Sequence, residues 1–156
     1  MLPQHNDSVV LVLPDFDLLT GYLPLGVHAA SWSQVRNRFG TNVHRSRLLE
    51  GLERALRNLA AAGCRSALID GSFVSAKPLP NDYDVAWDPT GVDPDRLDPV
   101  LLDMTDSRGA MKAKYGGEFF PASAQAAPGI CFRDFFQTDR DGIAKGVVEV
   151  DPGAMG

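Results

Sequence analysis

Residues 67–72 read ALIDGS, and after nine intervening residues the chain continues with DYDVAW at residues 82–87. Each stretch contains a short apolar run typical of a buried strand. Side chains two residues apart on a strand point the same way, so Asp82 and Asp84 direct their carboxylates to one place. Two carboxylates that close repel each other and retain a proton unless a cation lies between them. The pattern therefore predicts a cation site on the second strand.

The residue types around this pair indicate which cation and which ligand it takes. A hard ion such as Mg²⁺ suits paired carboxylates, above all when the ion also carries substrate phosphates. Gly71 and Ser72 add a tight turn with backbone N–H groups and a hydroxyl, which together can cradle a phosphate. On spacing alone, two solvated acids beside a turn are the commoner arrangement. The Gly-Ser turn between the two strands favours a metal site, with Mg²⁺ or Mn²⁺, and nucleotide chemistry.

The same residues resemble the signature of the nucleotidyltransferase superfamily that includes DNA polymerase beta. That signature is a hydrophobic residue, Gly-Ser, a short spacer and Asp-hydrophobic-Asp-hydrophobic, here at residues 69–72 and 82–85. The resemblance implies an α/β fold, two Mg²⁺ ions and transfer of a nucleotidyl group from an NTP. It also implies that Asp82 and Asp84 bind the metals.

A longer part of the chain, residues 23–151, is similar to a small bacterial and phage family known only as a domain of unknown function with this core. No activity follows from that similarity. The similar segments are PLGVH at 24–28, RFG at 38–40, RLLEGL at 47–52, DGSFV at 70–74, YGGE at 115–118, FQTD at 136–139 and KG at 145–146.

In-line nucleotidyl transfer usually needs a third acid, which holds the metal nearer the attacking hydroxyl and helps to activate it. Asp103 lies among apolar residues on a predicted strand at residues 100–104, and Glu149 has the same pattern on a later strand. Hairpin strands expose every second residue, so Glu149 is expected to face solvent. We assign the third metal ligand and catalytic carboxylate to Asp103.

The remaining polar residues near the pattern divide into one candidate ligand and several structural residues. Lys77 lies on the loop after the Gly-Ser turn, so it is a candidate cation for phosphate, although solvated loop lysines are commoner. Asp70 precedes the glycine and is expected to face away from the acid pair. Lys145 is expected at a solvated hairpin tip. Glu118 could line a cleft, but the sequence does not require it.

Helical spacing is clearest at residues 42–62, where apolar residues line one side and charged residues, including Arg45, cover the other. Thr41 or Asn42 is the predicted cap, and Ser31 is predicted to cap a shorter helix over residues 32–39. The remaining predicted elements are strands at residues 66–70, 83–87, 100–104 and 146–150, a helix at 106–115 and a mobile loop at 121–129. These elements predict an α/β fold, with a minimal nucleotidyltransferase-like mixed β-sheet packed against helices.

The composition indicates one main domain. The chain has 156 residues, of which 44% are hydrophobic, and a formal net charge of −5. We predict an extended N-terminal arm at residues 1–30, the nucleotidyltransferase-like domain at 31–151 and a tail at 152–156. The negative charge disfavours long duplex DNA as a partner. Two cysteines without metal-ligand spacing, no signal peptide and no membrane span point to reduced thiols and a cytoplasmic location.

The predicted function is Mg²⁺-dependent transfer of a nucleoside monophosphate from an NTP such as ATP to a hydroxyl acceptor on protein or RNA. Gly71, Ser72 and Lys77 would bind the triphosphate. Little chain remains for an acceptor-binding domain, so a partner chain or a homodimer is expected. Small members of the superfamily resemble the nucleotidyltransferase halves of toxin–antitoxin or phage-defence pairs, which is an analogy.

Two alternatives stay open at the level of sequence. One is a non-catalytic nucleotide-binding or protein-interaction module on the same scaffold. It is favoured by Phe73, which follows Gly71-Ser72 where related small enzymes often have an arginine. The other is a plain structural protein of a phage or mobile element, which would bind no metal.

Overall fold

The structure, a computed structural model, describes residues 12–156. The strands in that range are β1 (Gly26–Ala29), β2 (Ala67–Asp70), β3 (Tyr83–Trp87), β4 (Gly117–Pro121), β5 (Gln125–Ala127), β6 (Ile130–Cys131) and β7 (Gly146–Val150). The α-helices are α1 (Trp32–Phe39), α2 (Val43–Ala61), α3 (Gly109–Tyr115) and α4 (Phe132–Phe135). Short 3₁₀ turns join several of them. None of the helices in this range is long and apolar enough to cross a membrane.

Five of the strands form one mixed sheet in the order β1-β7-β2-β3-β4, and β5 pairs with β6 separately. Strand β2 runs antiparallel to both of its neighbours, β7 and β3. The outer pairs, β1 with β7 and β3 with β4, are parallel. The predicted α/β class with a mixed sheet is therefore confirmed, and the strand that carries the acid pair lies beside the strand that leads into the Gly-Ser turn.

The two faces of the central strands pack against different layers. Ile69, Val85 and Tyr83 belong to the main core with the apolar side of α2. Leu68 and Ala86, one position along each strand, pack on the opposite face with a smaller cluster that includes Phe120 and Phe136. Burial on both faces explains why β2 and β3 read as nearly continuous apolar runs.

Capping residues set the start of both long helices. Ser31 Oγ accepts from the Gln34 backbone N–H while the Gln34 side chain accepts from the Ser31 N–H, which forms a capping box. Asn42 Oδ1 accepts from the Arg45 N–H at the start of α2. The two helices predicted from spacing and caps are confirmed.

The predicted strand at residues 100–104 is wrong. Residues Pro99–Leu102 form a 3₁₀ turn, with proline at its first position and the Asp98 side chain accepting from the Val100 N–H.

The strand in this part of the chain is β4, which the sequence analysis missed. It begins at Gly117, where a Cβ atom would lie 2.4 Å from a ring carbon of Tyr83. Only glycine allows this close strand pairing.

The predicted mobile loop at residues 121–129 and the predicted N-terminal arm both contain ordered strands. Residues Gln125–Ala127 pair with Ile130–Cys131 in a short hairpin. Residues Gly26–Ala29 of the arm form the edge strand β1, and the Arg38 guanidinium holds the carbonyls of Leu13 and Pro14. Residues 1–11 of the predicted arm lie outside the described part.

The predicted tail is attached to the domain. Its 3₁₀ turn, Pro152–Ala154, packs against α2, and Pro152 is buried. Arg65 forms a bidentate pair with Asp151 immediately before the turn, at 3.0 and 2.9 Å. The end of the chain thereby covers one side of the long helix.

Gly51 provides a test of the packing between α2 and α3. A Cβ atom at Gly51 would lie 1.9 Å from the Tyr115 carbonyl oxygen. Alanine normally stabilises a helix interior by about 1 kcal/mol relative to glycine. Here we expect Gly51→Ala to lower the free energy of unfolding by about 1–3 kcal/mol because backbone atoms must move apart. Urea denaturation measures the change, with Glu50→Ala on the exposed side of α2 as the control. An increase in stability for Gly51→Ala would contradict the close packing.

Candidate functional site

A row of carboxylates crosses three adjacent strands of the sheet. In the strand register Asp70 lies opposite Asp84, and Asp84 lies opposite Glu118. Side chains directly opposite each other project from the same face of a sheet. Asp82 lies immediately before β3, two residues from Asp84, and its charge acts on the Asp84 carboxyl. The expectation that Asp70 faces away from the acid pair is therefore wrong, and Glu118 joins the site through the strand that sequence analysis missed.

The acids in this row influence each other strongly. Burial, followed by the charges of Asp82 and Asp70 and a hydrogen bond with Glu118, raises the pKa of Asp84 to about 8. Burial, followed by the charge of Glu118, also raises the pKa of Asp82. At neutral pH the Asp84 carboxyl therefore retains a proton in a position where several negative charges converge. This is the behaviour expected of carboxyl groups that converge in one partly buried place.

Lys145 neutralises one end of the row. Its Nζ lies 3.1 Å from each carboxylate oxygen of Asp70, and the two side chains are only 16% and 4% exposed. Burial raises the pKa of Asp70, while the charge of Lys145 acts in the opposite direction. The expectation of a solvated hairpin tip is wrong for Lys145. This residue immediately precedes β7, and β7 pairs with β2, which brings the Lys145 side chain to Asp70.

Two basic side chains of the α3 region neutralise the other end. Arg108 Nε lies 3.0 Å and Lys112 Nζ 3.2 Å from Glu118 Oε1. Burial opposes ionisation of Glu118, but the hydrogen bonds from Lys112 and Arg108 outweigh it and lower the pKa of this carboxyl. Glu118 is thus the ionised member of its pair with Asp84.

Backbone strain accompanies the position of Arg108. Asp106, Ser107 and Arg108 have φ values of 51°, 50° and 62°, a left-handed conformation that non-glycine residues seldom adopt in succession. The Arg108 guanidinium also lies 5.4 Å from the centre of the Phe120 ring. The ion pair and this cation–π contact offset the cost of the turn and direct Arg108 onto the acid row.

The Gly-Ser turn approaches the acid row closely. Gly71 has a φ of 95°, and a Cβ atom there would lie 3.3 Å from Asp84 Oδ2. A larger residue would be strained and would crowd the carboxylate. Ser72, half-buried, begins the 3₁₀ turn Ser72–Val74, and its carbonyl accepts from Ser75 Oγ. The structure therefore brings the predicted phosphate turn and the predicted metal ligand together.

A buried arginine holds the loop that follows the Gly-Ser turn. The Arg45 guanidinium donates to the carbonyls of Phe73, Ser75 and Lys77, and it is 3% exposed. The expectation that Arg45 belongs to the solvated side of α2 is wrong. No local pattern separates it from the neighbouring arginines of the helix, since its partners lie about 30 residues away. Arg45 fixes the course of the loop and with it the position of Lys77.

Lys77 and Asp103 have different surroundings. Lys77 is exposed, and its positive charge opposes the rise in the pKa of Asp82, which places the ammonium within electrostatic reach of the acid pair. The Asp103 carboxylate accepts from the backbone and hydroxyl of Thr105, which lowers its pKa. Asp103 follows the 3₁₀ turn instead of lying on a strand beside Asp84. The structure brings Glu118, and not Asp103, beside the acid pair.

Glu149, the other acid considered, projects from the same face of the sheet as Leu68 and Asp70. Its carboxylate accepts a hydrogen bond of 2.7 Å from Ser66 Oγ, and the side chain is half-buried. In the register it lies opposite Leu68 on β2, and β2 separates it from the acids of β3. Glu149 therefore has a structural partner of its own, and the expectation that it faces open solvent does not describe it.

The donor atoms of the row are of the type that a hard divalent cation prefers, carboxylate oxygens. Asp82, Asp84 and Glu118 offer only carboxylate oxygens, and Asp84 is kept protonated by the negative charges around it. In the arrangement described for residues 12–156, no three Asp, Glu, His or Cys side chains are grouped closely enough to hold one metal ion. In this arrangement the Glu118 carboxylate forms ion pairs with Arg108 and Lys112.

A cavity of about 1,050 Å³ opens at one side of the row. Asp70, Asp84 and Lys145 form part of its wall at the sheet. Tyr22 and several residues of the segment 129–142 also line it. The Tyr22 hydroxyl donates to Asp139 Oδ2 at 2.8 Å, which ties the N-terminal segment to this wall. The acids of β2 and β3 therefore face a space large enough for a small-molecule ligand.

Protonation of Asp84 predicts a pH effect on stability. Between the pKa of about 4 for an unfolded carboxyl and about 8 in the fold, the folded protein holds a proton that the unfolded chain has lost. Stability should therefore fall as pH rises through this window. We expect Asp84→Asn to be less sensitive by at least about 1.4 kcal/mol, the free energy of a tenfold change in proton affinity.

Urea denaturation of both proteins at several pH values measures this difference. Asp103→Asn is the matched control, because the Asp103 carboxylate accepts hydrogen bonds from Thr105 and has a lowered pKa. Parallel stability curves for the wild type and Asp84→Asn would show that Asp84 titrates as an ordinary carboxyl.

Comparison with known proteins gives a family but no activity. The chain matches, over residues 14–151, the model of a family of unknown function, DUF6932. No curated protein and no solved structure matches it significantly. The matched range contains the whole sheet, the Gly-Ser turn and every acid of the row. The chain therefore belongs to the family of unknown function DUF6932.

Proposed function

We propose that this protein is a Mg²⁺-dependent nucleotidyltransferase that moves a nucleoside monophosphate from an NTP to a hydroxyl acceptor on protein or RNA. The observation that carries the proposal is the position of Asp84. It lies between Asp70 and Glu118 in the strand register and against Gly71 of the Gly-Ser turn. A row of acids and a phosphate-binding turn at the same end of neighbouring strands are the elements that metal-assisted phosphoryl transfer requires.

The surroundings of each acid in the row suggest a different role for it in the proposed reaction. Asp82 and Asp84 would hold Mg²⁺, which when bound supplies charge neutralisation for the phosphates and the acceptor oxygen. Glu118 takes the place that the sequence assigned to Asp103, as the third carboxylate on the acceptor side. Its lowered pKa keeps it ionised and able to act as a ligand or to accept a proton.

The loop after β2 would bind the triphosphate. Gly71 and Ser72 provide backbone N–H groups and a hydroxyl at the turn, and Lys77 adds a positive charge near Asp82. Arg45 fixes this loop through three of its carbonyls, so the groups are held in place before the nucleotide binds.

The reaction balances without any further reactant. The acceptor oxygen forms a bond to the α-phosphorus, the bond from that phosphorus to the β-phosphate oxygen breaks, and pyrophosphate leaves. The proton of the acceptor hydroxyl passes to Glu118 or to water. We place this reaction in the cytoplasm, where both free cysteines would remain reduced. A partner chain or a second copy of the chain would present the acceptor, in a toxin–antitoxin or phage-defence setting.

One observation favours the alternative of a non-catalytic nucleotide-binding or interaction module. Each end of the acid row already has a basic partner, Lys145 on Asp70 and Arg108 with Lys112 on Glu118. Such pairs can neutralise the row without a metal. The two functions differ in whether Asp82 and Asp84 are needed for chemistry or only for the local charge balance.

Incorporation of α-³²P-labelled NTPs into total cell RNA and protein tests the proposed reaction. With Mg²⁺ or Mn²⁺ present, we expect label with the wild type and none with the variant that combines Asp82→Asn and Asp84→Asn. The asparagines preserve size and remove the charges that a metal needs. Absence of label with every NTP and metal, from a folded preparation with a cell extract as acceptor, would favour the module instead.

The third carboxylate has its own comparison. We expect Glu118→Gln to reduce the rate of transfer by at least about 100-fold, the lower range for loss of an acid–base group. Asp103→Asn should leave the rate within about twofold, because Asp103 binds Thr105 away from the row. Initial rates at saturating NTP measure both. Loss of activity in Asp103→Asn with normal activity in Glu118→Gln would return the assignment to Asp103.

A further inference from the structure

The large cavity lies on the nucleotide side of the acid row. Its wall contains Asp70 and Asp84, from the two strands that flank the Gly-Ser turn. Glu118 is on β4, on the other side of Asp84. In the proposed function, a nucleotide whose phosphates bind at the turn would extend into this cavity, and the acceptor would approach from the β4 side. The cavity volume of about 1,050 Å³ is sufficient for a nucleoside.

An exposed aromatic ring forms part of the cavity wall. Phe135 is 48% exposed, although its neighbours Phe120 and Phe136 are buried. Phe132 packs against Phe135 edge to face, with ring centres 6.4 Å apart at 79°, and supports it from one side. A supported ring that remains exposed in a cavity is suited to stack on a planar ligand.

The charges on the same wall exclude a phosphate from this position. Asp134, Asp139 and Asp141 line the cavity with Phe135. Its basic residues are Arg140 and Lys145, and Lys145 is paired with Asp70. Asp139 is already engaged, since it accepts from the Tyr22 hydroxyl and from the backbone N–H groups of the turn that follows. The excess of carboxylates repels phosphate, and carboxylates accept hydrogen bonds from amino groups. The ligand end that fits this wall is planar and carries N–H donors.

We propose that Phe135 stacks on the nucleobase of the bound nucleotide, and that the acidic wall selects a base with an exocyclic amino group over uracil. This inference rests on the proposed function and adds the base site to it. The phosphates then lie at Gly71 and Ser72, and the base lies beside α4. The hairpin of β5 and β6 and the turn after α4 form a base-binding unit that is separate from the acid row.

Direct binding measurements test this site. Fluorescent ribose-labelled ATP and UTP are titrated against the full chain with Mg²⁺, and unlabelled tripolyphosphate is the competitor that lacks a base. We expect the wild type to bind ATP more tightly than UTP. Phe135→Ala should weaken ATP binding about 10- to 100-fold, the usual effect of losing one base–aromatic stack, and leave tripolyphosphate binding unchanged.

Two further variants make the result specific. Phe135→Trp keeps an aromatic face and should retain ATP binding. Ile143→Ala removes a side chain that is 43% exposed in the same segment and lies outside the described cavity wall, so it should bind like the wild type. Equal weakening of ATP and tripolyphosphate by Phe135→Ala would indicate general damage and overturn the inference.

The outcomes also separate this inference from the proposed function. If the wild type transfers label and Phe135→Ala binds ATP normally, the base site is wrong and the nucleotidyltransferase stands. If Phe135→Ala changes only the concentration dependence for the acceptor, the cavity holds the acceptor and the base site is again wrong. If the wild type binds no nucleotide at all, both proposals fail.

Discussion

Repulsion among the carboxylates of Asp70, Asp82, Asp84 and Glu118 is the constraint on which the rest of the site depends. The strands place these acids in one partly buried row, where burial and mutual charge raise the pKa of Asp84 to about 8. The fold compensates at both ends, with the ammonium of Lys145 on one side and the basic residues of the α3 region on the other. A bound divalent cation would relieve the same repulsion at the centre.

The strands and loops around the row fix the positions of its acids. Strand β2 ends at Asp70, Gly71 turns the chain close to Asp84, and the buried guanidinium of Arg45 fixes the following loop. On the other side, Gly117 lets β4 approach Tyr83, which brings Glu118 opposite Asp84. Acid groups that repel each other stay together only when packed strands and buried hydrogen bonds prevent them from separating.

The row also divides the space around it into two unequal sides. On the β2 side are the Gly-Ser turn and the large cavity with its exposed Phe135 ring. On the β4 side are Glu118 and its basic partners. In the proposed reaction the first side binds the nucleotide and the second receives the acceptor. The strained left-handed turn at Asp106–Arg108 lies on the β4 side, where Arg108 forms an ion pair with Glu118. In the proposed reaction this ion pair would compete with the metal for the carboxylate.

Local sequence was sufficient to predict the helix caps at Ser31 and Asn42 and the strands on either side of the Gly-Ser turn. These depend on neighbours a few residues apart, which periodicity records. Tertiary structure alone decided that Glu118, Lys145 and Arg45 join the site and that Asp103 does not. Their partners lie on strands and loops distant in sequence, and no spacing rule states which strands pair. The segment before Asp103 forms a 3₁₀ turn because Asp98 caps it and Pro99 begins it. The strand that pairs beside Asp84 is instead formed by residues 117–121.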